Sequence, residues 1–199
     1  MQESHAATVL DLVHGRRGHF LLESGHHGAL WLDLDPLFAD PRRIRPCIDM
    51  FVAALRPHAV DAVCGPLLGG AFLAQLVAQA LDVDFWYTKR EMPAESIGLY
   101  QARYRLPPAL SARARGRRVA MVDDVMSAGS ALRGTFDEVM AHGAEPVVAG
   151  ALLVLGATGA GYFAELGIAV EAVAREDYEL WAPERCPLCA AGVPLERVN

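Results

Sequence analysis

Five short apolar runs recur along this chain with helix-length segments between most of them, and that alternation restricts the fold more than any other feature. Ala62–Cys64, Phe85–Thr88, Val119–Val122, Val147–Leu155 and Ile168–Val173 have the length and composition of strands buried on both faces. Asp40-Pro41 opens a helix that runs to about Leu55, with Asp as cap and Pro in first position. A second helix spans Ala71–Ala80 and a third Ser130–His142. Strand alternating with helix predicts an α/β fold, a mostly parallel five-stranded sheet flanked by helices. Ahead of it, His5–His14 has the pattern of an amphipathic helix capped by Ser4, and His19–Leu22 and Leu30–Leu34 read as a hairpin around a Ser24–Gly28 turn.

Residues 91–116 break this rhythm, with Pro93, Gly98, Pro107 and Pro108 and no sustained period. They carry Arg103, Arg105, Arg113 and Arg115, with Arg117 and Arg118 just beyond. Two readings stand: a solvated basic loop, or a mobile lid that brings cations to an anionic ligand. The net charge of -6 argues against a nucleic-acid partner, while leaving a small anionic ligand open. Residues 146–164 are uncharged and as long as a membrane span. Their apolar run stops at Leu155 and Gly150, Gly156, Gly159 and Gly161 interrupt them, so the reading is a buried strand, a Gly-rich turn and a helix start, with no membrane contact. The N-terminal MQESHAATVLDLV has an early Glu and no basic stretch, unlike a secretory signal, so a cytoplasmic location is expected.

The chemistry is concentrated in Val119–Leu132, where an apolar strand ends in Asp123 and Asp124, followed by Val125, Met126, Ser127, Ala128, Gly129, Ser130 and Ala131. In a parallel α/β sheet, ligands bind beyond the carboxyl ends of the strands. Small residues before a helix let backbone N–H groups converge on a phosphate, and the hydroxyls of Ser127 and Ser130 add donors. Two carboxylates beside a phosphate site fit a ligand that also offers a diol or a developing positive charge. The bland alternative is that Asp-Asp merely ends the strand and caps the turn.

This run resembles the ribose-phosphate signature of the type I phosphoribosyltransferases: apolar residues, two acids, two residues, a hydroxyl, a small residue, Gly and a hydroxyl. The wider chain is most similar to the orotate phosphoribosyltransferases, through Gly18–Gly25, Gly65–Gly70, and Leu180-Trp181 with Cys186–Leu195. The resemblance implies transfer of a 5-phosphoribosyl group from 5-phosphoribosyl 1-pyrophosphate (PRPP) to a nucleobase nitrogen, in pyrimidine synthesis or salvage. It implies Mg²⁺ on the pyrophosphate and a homodimer whose sites are completed by the partner's lid. Asp123 and Asp124 would meet the ribose, 125–131 the 5-phosphate, and Pro66, Leu67, Leu68, Gly69, Lys89 and Arg90 the pyrophosphate. The division implied is a hood over the base site at 1–40, a core at 41–178 holding the lid at 91–116, and a tail at 179–199. The alternative on the same fold is a non-catalytic sensor of PRPP or a nucleotide.

The departures from orotate enzymes concern the base. Glu23 stands where they usually have Lys, and Leu155-Gly156 where they usually have Asp-Arg. Pro93 and Glu95 replace the Lys and His of their lid. A carboxylate in a closed pocket needs a cation, and Arg103 or Arg105 could supply it. His26, His27 and Trp31 are candidates for the base pocket; for the histidines the alternative is an exposed turn, for Trp31 a packing anchor. Cys186-Pro187-Leu188-Cys189 has the spacing of half a zinc site, without a second pair in sequence. It reads either as a Zn²⁺ site shared across a dimer or as a reduced, partly buried pair. Lys89 and Arg90 read equally as a charged strand end.

Overall fold

The computed structural model describes residues 14–92 and 99–197, together with Val9 and Leu12. The helix expected over His5–His14 with its Ser4 cap lies almost wholly outside these residues, as do Pro93 and Glu95 of the lid; His14 itself begins a strand.

The chain opens with an antiparallel hairpin, β1 (His14–Leu21) and β2 (His27–Asp33), as the turn chemistry predicts. The α/β core follows as α1 (Pro41–Leu55), β3 (Ala62–Pro66), α2 (Gly69–Leu81) and β4 (Asp84–Glu91). It continues through β5 (Arg103–Arg105), the single turn α3 (Pro108–Ser111), β6 (Arg118–Met126) and α4 (Ser130–Ala141). β7 (Glu145–Leu155), α5 (Thr158–Glu165) and β8 (Ala169–Glu176) complete it, so the uncharged stretch is the strand, turn and helix expected. No helix among the described residues is long and apolar enough to cross a membrane. Asp40 caps α1, its side chain accepting from the Arg42 amide at 3.0 Å.

The main sheet has the order β5-β4-β3-β6-β7-β8. Its five parallel strands are the five apolar runs; β5 is a sixth, pairing antiparallel with β4 at the edge. The expected structureless lid is thus partly ordered: 103–105 form a strand and 108–111 a helical turn. Three of the arginines in and just beyond it are held in ion pairs. Arg105 pairs with the buried Glu138 at 2.7 Å, and Arg113 and Arg117 with Asp84 at 2.8 and 3.2 Å.

Alternate strand residues feed two cores. On one face Val63, Ala120 and Val122 pack with Phe51, Leu55, Leu73 and Val77 of α1 and α2. On the other, Cys64, Val119 and Met121 pack with Leu132 and Val139 of α4 and Phe163 of α5. Cys47 and Cys64 are fully buried in these layers. A second, four-stranded sheet has the order β10-β1-β2-β9, where β9 is Leu180–Trp181 and β10 is Glu196–Arg197, with the turn α6 (Pro187–Ala190) between them. Both strands of the C-terminal segment thus extend the N-terminal hairpin, called the hood below.

Strand order places the site. From β3 the chain steps outward to β4 on one side, while β6, β7 and β8 lie on the other. The direction of winding reverses between β3 and β6, which leaves a crevice beyond their carboxyl ends.

Candidate functional site

β6 runs four residues past the apolar run that ends at Val122, so Asp123 and Asp124 lie within the strand's carboxyl end rather than after it. The strand register holds them there: Asp123 is opposite Ala151 and Val125 opposite Leu153 of β7. The Asp123 carboxylate accepts from the Asp124 amide at 3.0 Å, and that of Asp124 from the Val125 amide at 2.7 Å. The turn beyond closes through Gly129 at φ 72°, a left-handed conformation that favours glycine. α4 then starts at Ser130 with no side-chain cap on its first turn. Its leading N–H groups are left for another acceptor, and the helix dipole favours an anion there.

From β3, Pro66 leads into Leu67-Leu68, whose peptide is cis, and α2 begins at Gly69. The Leu67 amide donates to the Thr88 carbonyl at 2.9 Å, which ties this loop to β4. Gly69 is packed so closely on the Asp124 carboxylate that any Cβ would overlap it. Two loops, separated by more than fifty residues, thus share one wall.

Between them is a cleft of about 260 Å³. Pro66, Leu67, Leu68 and Gly69 line one side; Asp123, Asp124, Val125, Ser127, Gly129, Ser130 and Ala131 line the other. Glu23, from the turn after β1, and Tyr104 of β5 complete it. The Tyr104 hydroxyl donates to Glu23 at 2.6 Å, and Arg90 approaches the same carboxylate at 3.7 Å. Burial raises the Asp123 pKa well above the usual carboxylate range, and the neighbouring Asp124 charge adds to it. Burial also raises Asp124. The lining therefore holds three carboxylates and, among the described residues, no Lys or Arg. A polyanionic ligand entering it needs its own counter-charge, and hard carboxylate oxygens are the donors a divalent cation such as Mg²⁺ accepts.

Most residues singled out from the sequence meet here, and some do not. Met126 ends β6 and Ala128 sits in the turn, but each is 1 % exposed and neither lines the cleft. Lys89 and Arg90 lie inside β4, exposed and outside the lining; Arg90 reaches the cleft only through Glu23. His26 and His27 are buried rather than in an exposed turn. His26 packs on Ser24 and Tyr100, its pKa lowered by burial and then by the Arg133 charge. Arg133, one turn into α4, is sandwiched between the Tyr100 and Tyr162 rings, 4.2 and 4.0 Å from their centroids. His27 is drawn the other way, toward the tail. Trp31 stacks with Arg16 on the hood and lines no cleft. Glu23 and Tyr104 are the site residues sequence reasoning missed. Only the odd Glu at position 23 hinted at them, because their meeting depends on β5 docking beside the hood.

The sequence of the phosphoribosyl transferase domain family matches residues 39–184. The orotate phosphoribosyltransferase of Thermotoga maritima is 27% identical over 180 residues, covering 90% of this chain and 89% of that protein. That of Carboxydothermus hydrogenoformans is 32% identical, covering 89% and 87%. The crystal structure of orotate phosphoribosyltransferase from Aeropyrum pernix superposes with a TM-score of 0.65 at 22% identity, covering 88% of this chain and 93% of that one.

Proposed function

This chain belongs to the phosphoribosyl transferase family, and on that premise we propose that it moves a 5-phosphoribosyl group from PRPP to a ring nitrogen of a nucleobase. The observation that carries the reading is the joint lining of one cleft by the two loops, Pro66–Gly69 and Asp123–Ala131. The amides of 127–131 and the hydroxyls of Ser127 and Ser130 take the 5-phosphate. Asp123 and Asp124 accept from the ribose diol and stabilise positive charge on the ring. The loop at 66–69 receives the pyrophosphate. The C1–O bond breaks with its electron pair leaving on pyrophosphate, the base nitrogen's lone pair forms the new C1–N bond, and the nitrogen's proton passes to solvent.

Mg²⁺ fits the carboxylate-rich lining: Asp123, Asp124 and Glu23 would face it, and it would neutralise the leaving pyrophosphate. Chain-borne charge then works at the sugar, where raised pKa values of the twin acids fall as positive charge arrives. The same proposal makes the protein a cytoplasmic homodimer, and sedimentation as a monomer at assay concentration would remove that part.

Pyrophosphate release from PRPP and Mg²⁺ in the presence of a panel of pyrimidine and purine bases tests the reading. Orotate is the first acceptor to try, because both curated relatives are orotate enzymes. Turnover with one base supports transfer. Donor binding without release across the whole panel favours the non-catalytic sensor instead.

A further inference from the structure

On the hood, away from the cleft, four metal-ligating side chains from opposite ends of the chain converge. One ligand atom from each of His19, His27, Cys186 and Cys189 lies within 4.8 Å of all the others. His19 Nε2 is 3.0 Å from His27 Nδ1, 3.4 Å from Cys186 Sγ and 3.7 Å from Cys189 Sγ; Cys189 Sγ is 3.3 Å from His27 Nδ1. We propose that these four side chains bind one Zn²⁺ in a closed tetrahedral site that fastens the C-terminal tail to the N-terminal hairpin.

Three of these four spacings suit the metal, and the 3.0 Å between the histidine nitrogens is shorter. Tetrahedral bonds of about 2.0–2.3 Å put neighbouring nitrogen and sulfur donors about 3.3–3.8 Å apart. The hydrogen bonding points the same way. A carbonyl only accepts, so the 2.8 Å contact of His19 Nδ1 with the Val193 carbonyl makes Nδ1 the N–H donor. In the neutral ring Nε2 then presents a bare lone pair. His27 and both thiols crowd that single lone pair, which can accept one good hydrogen bond but can serve as one corner of a cation's shell. A metal-bound histidine held by a backbone carbonyl through its other nitrogen is the expected orienting arrangement. Two imidazoles and two thiolates select Zn²⁺ over the oxygen-seeking Mg²⁺, and four protein ligands leave no open position for chemistry. The role is therefore structural.

The register of the hairpin brings the histidines together. Leu21 stands opposite His27, and His19 lies just before it in a bulge between Arg17 and Phe20, where its ring meets that of His27 at 4.9 Å between centroids. The tail gives an independent reason for a staple. β9 and β10 are two residues each, α6 is four, and the residues from Pro187 to Arg197 are exposed apart from a partly covered Leu188. So little apolar burial does not hold a segment in place, and a metal supplies what the core cannot.

The test needs no turnover assay, so its outcome is separate from that of the proposed reaction. The full-length chain, purified without added metal or chelator, is expected to carry about one zinc per chain by elemental analysis. After chelator stripping, Co²⁺ titrated into the wild-type chain is expected to give intense tetrahedral d–d bands and a thiolate charge-transfer band. Cys186→Ser and His27→Ala are expected to lose the bound metal, while His58→Gln, at a histidine paired with Glu171 elsewhere, retains it. Cys189, exposed in the chain, should resist alkylation until the chelator is added. A zinc-free purified protein whose stripped form gives only a weak octahedral cobalt spectrum overturns the proposal. So does zinc content that Cys186→Ser leaves unchanged.

Discussion

The twin-acid cleft and the hood cluster both gather polar side chains, yet they are built in opposite ways. The cleft takes most of its wall from one continuous run, Asp123–Ala131, at the switch point of a deeply buried sheet. The hood cluster joins His19 and His27 to Cys186 and Cys189 across almost the whole length of the chain. The cleft is an open space with charge left unbalanced; the cluster is closed, with its donors already turned on one another. An unbalanced, open site is arranged for a ligand that comes and goes, and a closed one for an ion that stays. Function and stability should therefore separate when each region is changed.

The largest separation is expected at the acids. Asp123→Asn and Asp124→Asn should each lower kcat/KM for PRPP by about 100-fold or more, with no fall in Tm. Turnover within twofold of wild type in both would assign the chemistry to another loop. Next, Gly69→Ala should cost about tenfold in kcat/KM by pushing the Asp124 carboxylate out of place; steady-state kinetics with a circular-dichroism check of folding reads it. In the other region the order reverses: Cys189→Ser should lower Tm by several degrees while kcat/KM stays within about threefold. A large kinetic loss there would show that the hood cluster governs the cleft through the Glu23 turn.

A smaller effect concerns the edge strand. Arg105→Ala leaves the buried Glu138 carboxylate with the Leu106 amide and His142 but without its ion-pair partner. Chemical denaturation should show a loss of about 1–3 kcal/mol, with turnover nearly unchanged. Strong kinetic loss would revive the reading of Arg105 as a ligand-binding cation. The smallest effect is in the pH dependence of stability. Burial, then Asp124, holds the proton on folded Asp123 above the pH at which the unfolded chain gives it up. That contribution is complete at low pH and is lost as pH rises through the raised pKa. Asp123→Asn removes it, so the Tm difference between variant and wild type should grow in the variant's favour from about pH 4 to pH 8.

The same contrast explains what could be read from the sequence. All five parallel strands and the loop after β6 were legible, because each is a contiguous pattern: an apolar run, a pair of acids, small residues, a helix. Edge strand β5 was not, since three residues, Arg103, Tyr104 and Arg105, carry no period that can be counted. Glu23 and Tyr104 were invisible as site residues because their contact forms only when β5 and the hood dock. Cys186 and Cys189 read in sequence as half a metal site, with no second cysteine pair at matching spacing. His19 and His27 come beside them only through the pairing of the bulged hairpin, which no spacing motif records.

The account rests on the turn at 127–131 gripping a sugar phosphate, and a crystal structure of the protein soaked with ribose 5-phosphate tests that most directly. The phosphate is expected against the amides of Ser127–Ala131, with the ribose hydroxyls facing Asp123 and Asp124. A phosphate bound elsewhere, or an empty turn at saturating ligand, would contradict it.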